Sequence, residues 1–184
     1  MVEIHAWRRE LSVKGKNGIA FLMAAVLIWV LITGVFLLSL DLYTQNILML
    51  CSSGLMLPLA ILFSRLLRAE WKFDDNPLSS LGLSLNLAQL AYFPLLLWAI
   101  AASPVDAVLF FAVITGAHFF PYGWFYSSLP YYVMAPVIAV SVTVLAAVQK
   151  GSSQWLVPAA MVVLLIVLIL WLEWDYRQKT AART

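Results

Sequence analysis

A chain of 184 residues with 64% hydrophobic and 11% charged side chains, and a mean hydropathy of +0.94, has too little polar surface to cover a soluble core and reads throughout as a membrane bundle with no extramembrane domain. Its net charge of +2 does not point to nucleic acid, because the basic residues gather where cytoplasmic helix ends would fall, and orientation and lipid headgroups account for them. The single cysteine, Cys51, excludes an internal disulfide and reads as a small packing residue.

The charges divide the chain. Uncharged stretches of 24 residues run from Lys16 to Asp41, 23 from Asp41 to Arg65, 30 from Asp75 to Asp106, 43 from Asp106 to Lys150 and 22 from Lys150 to Glu173. A hydrocarbon core about 30 Å thick needs roughly 20 apolar residues per helix, so these stretches predict six passes, two of them sharing the longest.

Residues 1–17 are expected to be a short cytoplasmic segment, amphipathic or irregular. Arg8, Arg9, Lys14 and Lys16 precede an apolar run that is too long for a signal peptide and lacks a small-residue exit, so an uncleaved first pass over about 18–40 is expected. The second covers about 44–66. The linker Arg68-Ala-Glu-Trp-Lys-Phe-Asp-Asp75 mixes charge with Trp71 and Phe73, which suits the headgroup level. Asn76-Pro77 predicts the start of the third pass, about 77–102, with Asn76 as N-cap and Pro77 at the first helical position. Ser103-Pro104-Val-Asp106 predicts the start of the fourth, about 104–126. Pro130 cannot continue that helix and separates it from the fifth, about 131–148. Lys150-Gly-Ser-Ser153 forms an outer loop before the sixth, about 154–172, and a tail with Arg177, Lys179 and Arg183. Of the 11 Lys and Arg residues only Lys150 then lies outside. The fold class is an all-α integral membrane protein: one bundle of six transmembrane helices over residues 1–184, both termini cytoplasmic. The turn between the fourth and fifth passes has no charge; Trp124, Phe125, Tyr126, Tyr131 and Tyr132 anchor it as an interfacial belt would.

His118 stands inside the fourth pass, on one helical face with Thr115 and Tyr122, while Pro121 and Gly123 weaken the helix beside it. A histidine inside a membrane must satisfy its nitrogens away from lipid, which makes it a functional candidate. On the third pass Asn86, Gln89 and Phe93 share a face, and carboxamides are too costly to point at lipid. A joint ligand-binding site of Asn86, Gln89, His118 and Tyr122 is the sharpest hypothesis: a small polar pocket for a neutral or weakly charged molecule. It holds no carboxylate, so no metal is expected there. The plainer reading is that these residues only hydrogen-bond helix to helix, at about 0.6–2 kcal/mol each. Small residues at four-residue spacing, Ser80, Ser84 and Ala88, and Ala112 and Gly116, mark sites of close helix approach. Pro58, Pro94, Pro136 and Pro158 fall inside or near passes and read as packing kinks.

Enzyme signatures are mostly absent: no H-E-x-x-H, no G-x-S-x-G, no paired intramembrane aspartates, no metal-ligand spacing. No catalytic residue and no cofactor are expected, and His118 as an intramembrane base is the weakest of three hypotheses. The runs Asn76-Pro77-Leu78-Ser79-Ser80-Leu81-Gly82, Asn86-Leu-Ala-Gln89 and Gly116-Ala-His118-Phe-Phe-Pro121-Tyr122-Gly123-Trp124 resemble a family of small multi-pass bacterial membrane proteins of unknown function. The resemblance implies a bacterial cytoplasmic membrane protein and brings no substrate or cofactor. The leading expectation is a small-molecule transporter or ligand-binding membrane protein, with the lipid bilayer and a homodimer partner as its setting. The alternative is a non-catalytic partner subunit, sensor or scaffold.

Overall fold

The computed structural model describes residues 2–149 and 153–181; the expected outer loop at Lys150, Gly151 and Ser152, and the tail residue Arg183, lie outside them. The described chain is helical throughout, with no strand. Ten helices follow in order: α1 (Val2–Lys14), α2 (Ile19–Leu37), α3 (Leu42–Ser53), α4 (Met56–Leu67), α5 (Ser79–Leu90), α6 (Phe93–Ala102), α7 (Ala107–His118), α8 (Phe120–Phe125), α9 (Leu129–Gln149) and α10 (Leu156–Ala181). By length and hydropathy five helical stretches can cross a membrane, and six if the bent pair α3–α4 counts as one span.

The N-terminal segment is a regular helix, with Glu3 in its first turn and Lys14 in its last, the placement the helix dipole favours. It stops where Lys16, Asn17 and Gly18 take positive φ. Gly18 is required twice over: its φ is +76°, and a Cβ there would lie 2.9 Å from the Tyr126 ring. The chain then enters α2, whose Leu22, Ala24, Trp29 and Ile32 are fully buried and which packs against α10 and α4.

Asp41 caps α3, its carboxylate accepting a hydrogen bond from the Thr44 N–H at 3.0 Å. The second pass is broken rather than merely kinked, with a 45° bend between α3 and α4. Pro58 lies just after the break, with no N–H to give the Gly54 carbonyl, although the missing bond is not sufficient alone, since Pro136 sits inside the unbroken α9. Pro94 lies likewise after the Ala91–Tyr92 break between α5 and α6, and Pro121 after Phe119 between α7 and α8.

The start of the third pass differs from expectation. The helix begins at Ser79, and Asn76 is not its N-cap. Asn76 is 4% exposed; its Oδ1 accepts from the Leu78 N–H at 3.0 Å, while its Nδ2 donates to the Trp7 carbonyl at 3.1 Å and to Glu10 at 3.0 Å. Its oxygen thus closes the turn ahead of the helix, while its amide group ties that turn to α1. Asp106 likewise caps nothing with its side chain, which instead accepts from the Ser103 hydroxyl.

The fourth and fifth passes meet closely. A Cβ on Gly116 would lie 2.7 Å from Ile138 Cγ2 and one on Gly123 2.7 Å from the Tyr132 ring, so the small residues of α7 and α8 admit α9. Ser80, Ser84 and Ala88 are instead exposed. The third span is the least covered of all, 17% buried against 50% for the first.

Candidate functional site

Three of the four expected site residues come together. Tyr122 on α8 donates its hydroxyl hydrogen to Asn86 Oδ1 on α5 at 3.1 Å, and the Tyr122 hydroxyl oxygen lies 3.4 Å from His118 Nε2. The Tyr122 proton is committed to Asn86, so the contact with His118 is a hydrogen bond only when Nε2 carries its own proton, which leaves Nδ1 as an acceptor. One Asn86 amide N–H goes to the Gly82 carbonyl at 3.0 Å; the second has no partner among the described residues. Gln89 is half-buried one turn further along α5, and its side chain forms no hydrogen bond among them. Thr115 turns back on its own helix, to the Phe111 carbonyl.

Local sequence explains the juxtaposition. Gly82 brings α5 against Phe125, where a Cβ would come within 2.8 Å of the ring, and that approach sets Asn86 opposite Tyr122. Tyr122 is held from the other side by aromatic rings: His118 edge-on at 5.3 Å, Tyr126 stacked at 6.0 Å and Tyr131 at 5.9 Å between centroids. The site is therefore a line of side chains along the α5–α8 seam. Two hollows lie elsewhere on the described surface. One is a shallow apolar groove of about 230 Å³ beside Ala139, Val140, Thr143 and Val144. The other is a polar cleft of about 190 Å³ between α1 and the linker, lined by Glu10, Lys14, Glu70, Lys72, Phe73, Asp74, Asp75 and Asn76. In that cleft Lys14 pairs with Glu10 at 2.7 Å. The hydrogen bonds from Lys14 and then Asn76 hold the Glu10 carboxyl below its usual range. Among the described residues no three His, Cys, Asp or Glu side chains are placed to hold a metal ion.

A second polar assembly was not legible in the sequence. Asn17, wholly buried, sits at its centre. Its Oδ1 accepts from the Ser12 hydroxyl, and its Nδ2 donates to Asp175 at 2.9 Å and to the Leu172 carbonyl at 3.2 Å. Its backbone carbonyl accepts from the Tyr131 hydroxyl at 2.7 Å. Asp175 also accepts from Ser128 at 2.8 Å and pairs with Lys179 at 2.7 Å. Lys179 reaches on to Ser12 at 3.0 Å and to the Tyr126 carbonyl at 3.1 Å. Helix α1, the α8–α9 turn and the end of α10 are thus bound together at one end of the bundle. The only local signals were Asn17-Gly18, a turn-forming pair, and Asp175 with Lys179 one helical turn apart.

A family model described as a family of unknown function, DUF7010, matches residues 4–175. No curated protein and no solved structure matches the chain.

Proposed function

The chain belongs to DUF7010, a family of unknown function, so no activity comes to it by kinship, and we propose one from its geometry. The protein is a multi-pass protein of the bacterial cytoplasmic membrane with both termini in the cytoplasm. It acts without catalysis, as a partner subunit, sensor or scaffold whose third pass is the surface offered to others. The observation that carries this reading is the Tyr122–Asn86 hydrogen bond: the polar side chains at the seam bond one another across two helices, as helix-joining residues do. The placement in a membrane is supported by the exposed aromatic residues. Tyr43, Trp98 and Trp155 stand near one set of helix ends, and Trp71, Trp124 and Trp174 near the other, as two interfacial belts would. The convergence of α1 and α10 supports termini on one side, and the basic residues there support the cytoplasmic side.

A second reading, ligand binding or transport through a homodimer, is favoured by one observation: Gln89 and one Asn86 N–H are left unpaired on a helix in the hydrocarbon layer. Photo-crosslinking in native membranes separates the two. A crosslinker at Leu87, 53% exposed, is expected to give protein adducts on the partner reading. Lipid adducts alone, together with ligand density between Gln89 and His118 in a structure with native lipids retained, would overturn it. On the partner reading, Asn86→Ala and His118→Ala lower thermal stability and leave the adducts in place.

A further inference from the structure

Arg8 is a fixed cation with no counterion among the described residues. Its Nε donates to the Trp124 carbonyl, and its guanidinium carbon lies over the Trp124 ring, 4.7 Å from the centre, within cation–π range. The ion pairs among the described residues are Lys14–Glu10, Arg177–Glu173 and Lys179–Asp175; Arg8 belongs to none, and its two terminal nitrogens have no partner there. Nor is Arg8 free to wander. Helix α1 is clamped by Asn76 on the Trp7 carbonyl and Glu10, by the Glu70 N–H on the Lys14 carbonyl at 3.0 Å, and by Ser12 in the Asn17 assembly. The half-buried guanidinium is held at the turn before α9, beside Trp124, which is 39% exposed.

We propose that Arg8 and Trp124 form a binding site for the phosphate of an anionic glycerophospholipid. The free edge of the guanidinium offers a two-pronged donor that matches two phosphate oxygens. The Trp124 ring, and Phe120 packed edge-on against Tyr132 at 5.1 Å, border the hydrocarbon where the glycerol and acyl chains would lie. An isolated basic residue on a mobile tail would be a diffuse attraction; this one is positioned in advance, so little ordering cost opposes binding. The site also accounts for the uncharged turn between α8 and α9, since the positive charge expected at a cytoplasmic turn is delivered in space by α1 rather than in sequence. The inference rests on the proposed placement of this end at headgroup level, but its test does not depend on which side of the membrane that end faces.

The test is native mass spectrometry of the full chain released from detergent and titrated with short-chain phosphatidylglycerol, short-chain phosphatidylcholine or inorganic phosphate. Phosphatidylglycerol is expected to bind about tenfold more tightly than phosphatidylcholine, and Arg8→Gln to remove about that factor. Arg9→Gln, a neighbouring exposed basic residue, leaves the preference intact. Arg8→Lys keeps the charge and the fold but loses the planar fork, so its affinity falls between the two. Equal losses in the Arg8 and Arg9 variants, an unchanged Arg8→Lys affinity, or displacement of the lipid by equimolar inorganic phosphate would each overturn the proposal. Labelling of Ser127→Cys reads the topology separately, so a failed lipid test and a failed topology are told apart.

Discussion

Asn17 is the residue whose loss the structure makes most costly, and the cost divides into two measurable parts. Replacing it with alanine deletes a carboxamide that serves Ser12, Asp175, Leu172 and Lys179. Asp175 keeps Lys179 and Ser128, and Ser12 keeps Lys179. The Ser12 hydrogen loses its acceptor, at about 1–3 kcal/mol for a buried group left unsatisfied, whereas the Leu172 carbonyl keeps its bond within α10. The backbone adds a second part. Asn17 holds φ at 53°, where alanine costs about 1–2 kcal/mol and asparagine less. Alanine is therefore expected to destabilise by roughly 2–5 kcal/mol, and Asn17→Gly, which is relaxed at positive φ, by about 1 kcal/mol less. Unfolding in mixed detergent and SDS micelles, followed by helical circular dichroism, measures both. A loss below about 1 kcal/mol for alanine, or glycine proving the worse of the two, would show that the assembly does not close this end of the bundle.

The same physics yields further expectations. Tyr122→Phe and Asn86→Ala should each cost about 0.6–1.7 kcal/mol and the pair less than their sum, since one hydrogen bond accounts for both; strict additivity in the double variant would deny the coupling. Gly116→Ala should cost about 1–3 kcal/mol by overpacking against Ile138, and should cost less when introduced into an Ile138→Ala background, a non-additivity read from thermal unfolding. The clamp of α1 on the linker should weaken in acid: the Glu10 carboxyl is lowered from 4.5, so its contribution is complete above that value and disappears as pH falls through the lowered one. Hydrogen exchange at the Asn76–Leu78 turn should therefore quicken at low pH in the native protein and be pH-insensitive in Glu10→Gln, after correction for intrinsic exchange. Ser128 is 1% exposed and engaged with Asp175, so topology is better probed at its exposed neighbour Ser127, which should resist an impermeant thiol reagent added from outside, in a Cys51→Ser background.

What could be read in advance follows from how local each determinant is. A charge cannot sit in hydrocarbon, so Asp41 separates α2 from α3 visibly, and its carboxylate does cap the helix it precedes. Prolines marked weak points, yet Pro58 follows a break while Pro136 sits inside the unbroken α9, and nothing in the two segments separates these outcomes in advance. Asn76 shows the limit more sharply. Its neighbours on both sides favour a cap, and the contact that prevails lies 69 residues away, at Trp7. The pairing of Asn86 with Tyr122 was open to anticipation because mid-helix polar groups need partners and their helices are consecutive. The isolation of Gln89 was not, because the register of α5 on α8 is set by Gly82 meeting Phe125.

The charged ends show the larger consequence. Taken segment by segment, residues 1–17 and the stretch after Leu172 look like tails, because charge density alone distinguishes them from the passes. In space α1 is a clamped helix and α10 continues past Glu173 to Ala181, which carries Asp175 and Lys179 far enough to meet Asn17. The end of the bundle richest in basic residues is thus its most tightly hydrogen-bonded part, whereas the third pass, with no charged residue, is the least covered. On the proposed membrane placement, the hydrogen-bonded cap would serve anchoring and the loosely covered third helical stretch would serve association. A partner that displaced α5 from Tyr122 would break one interhelical hydrogen bond and leave the Asn17 assembly untouched, which is the condition under which a membrane subunit can exchange partners without unfolding.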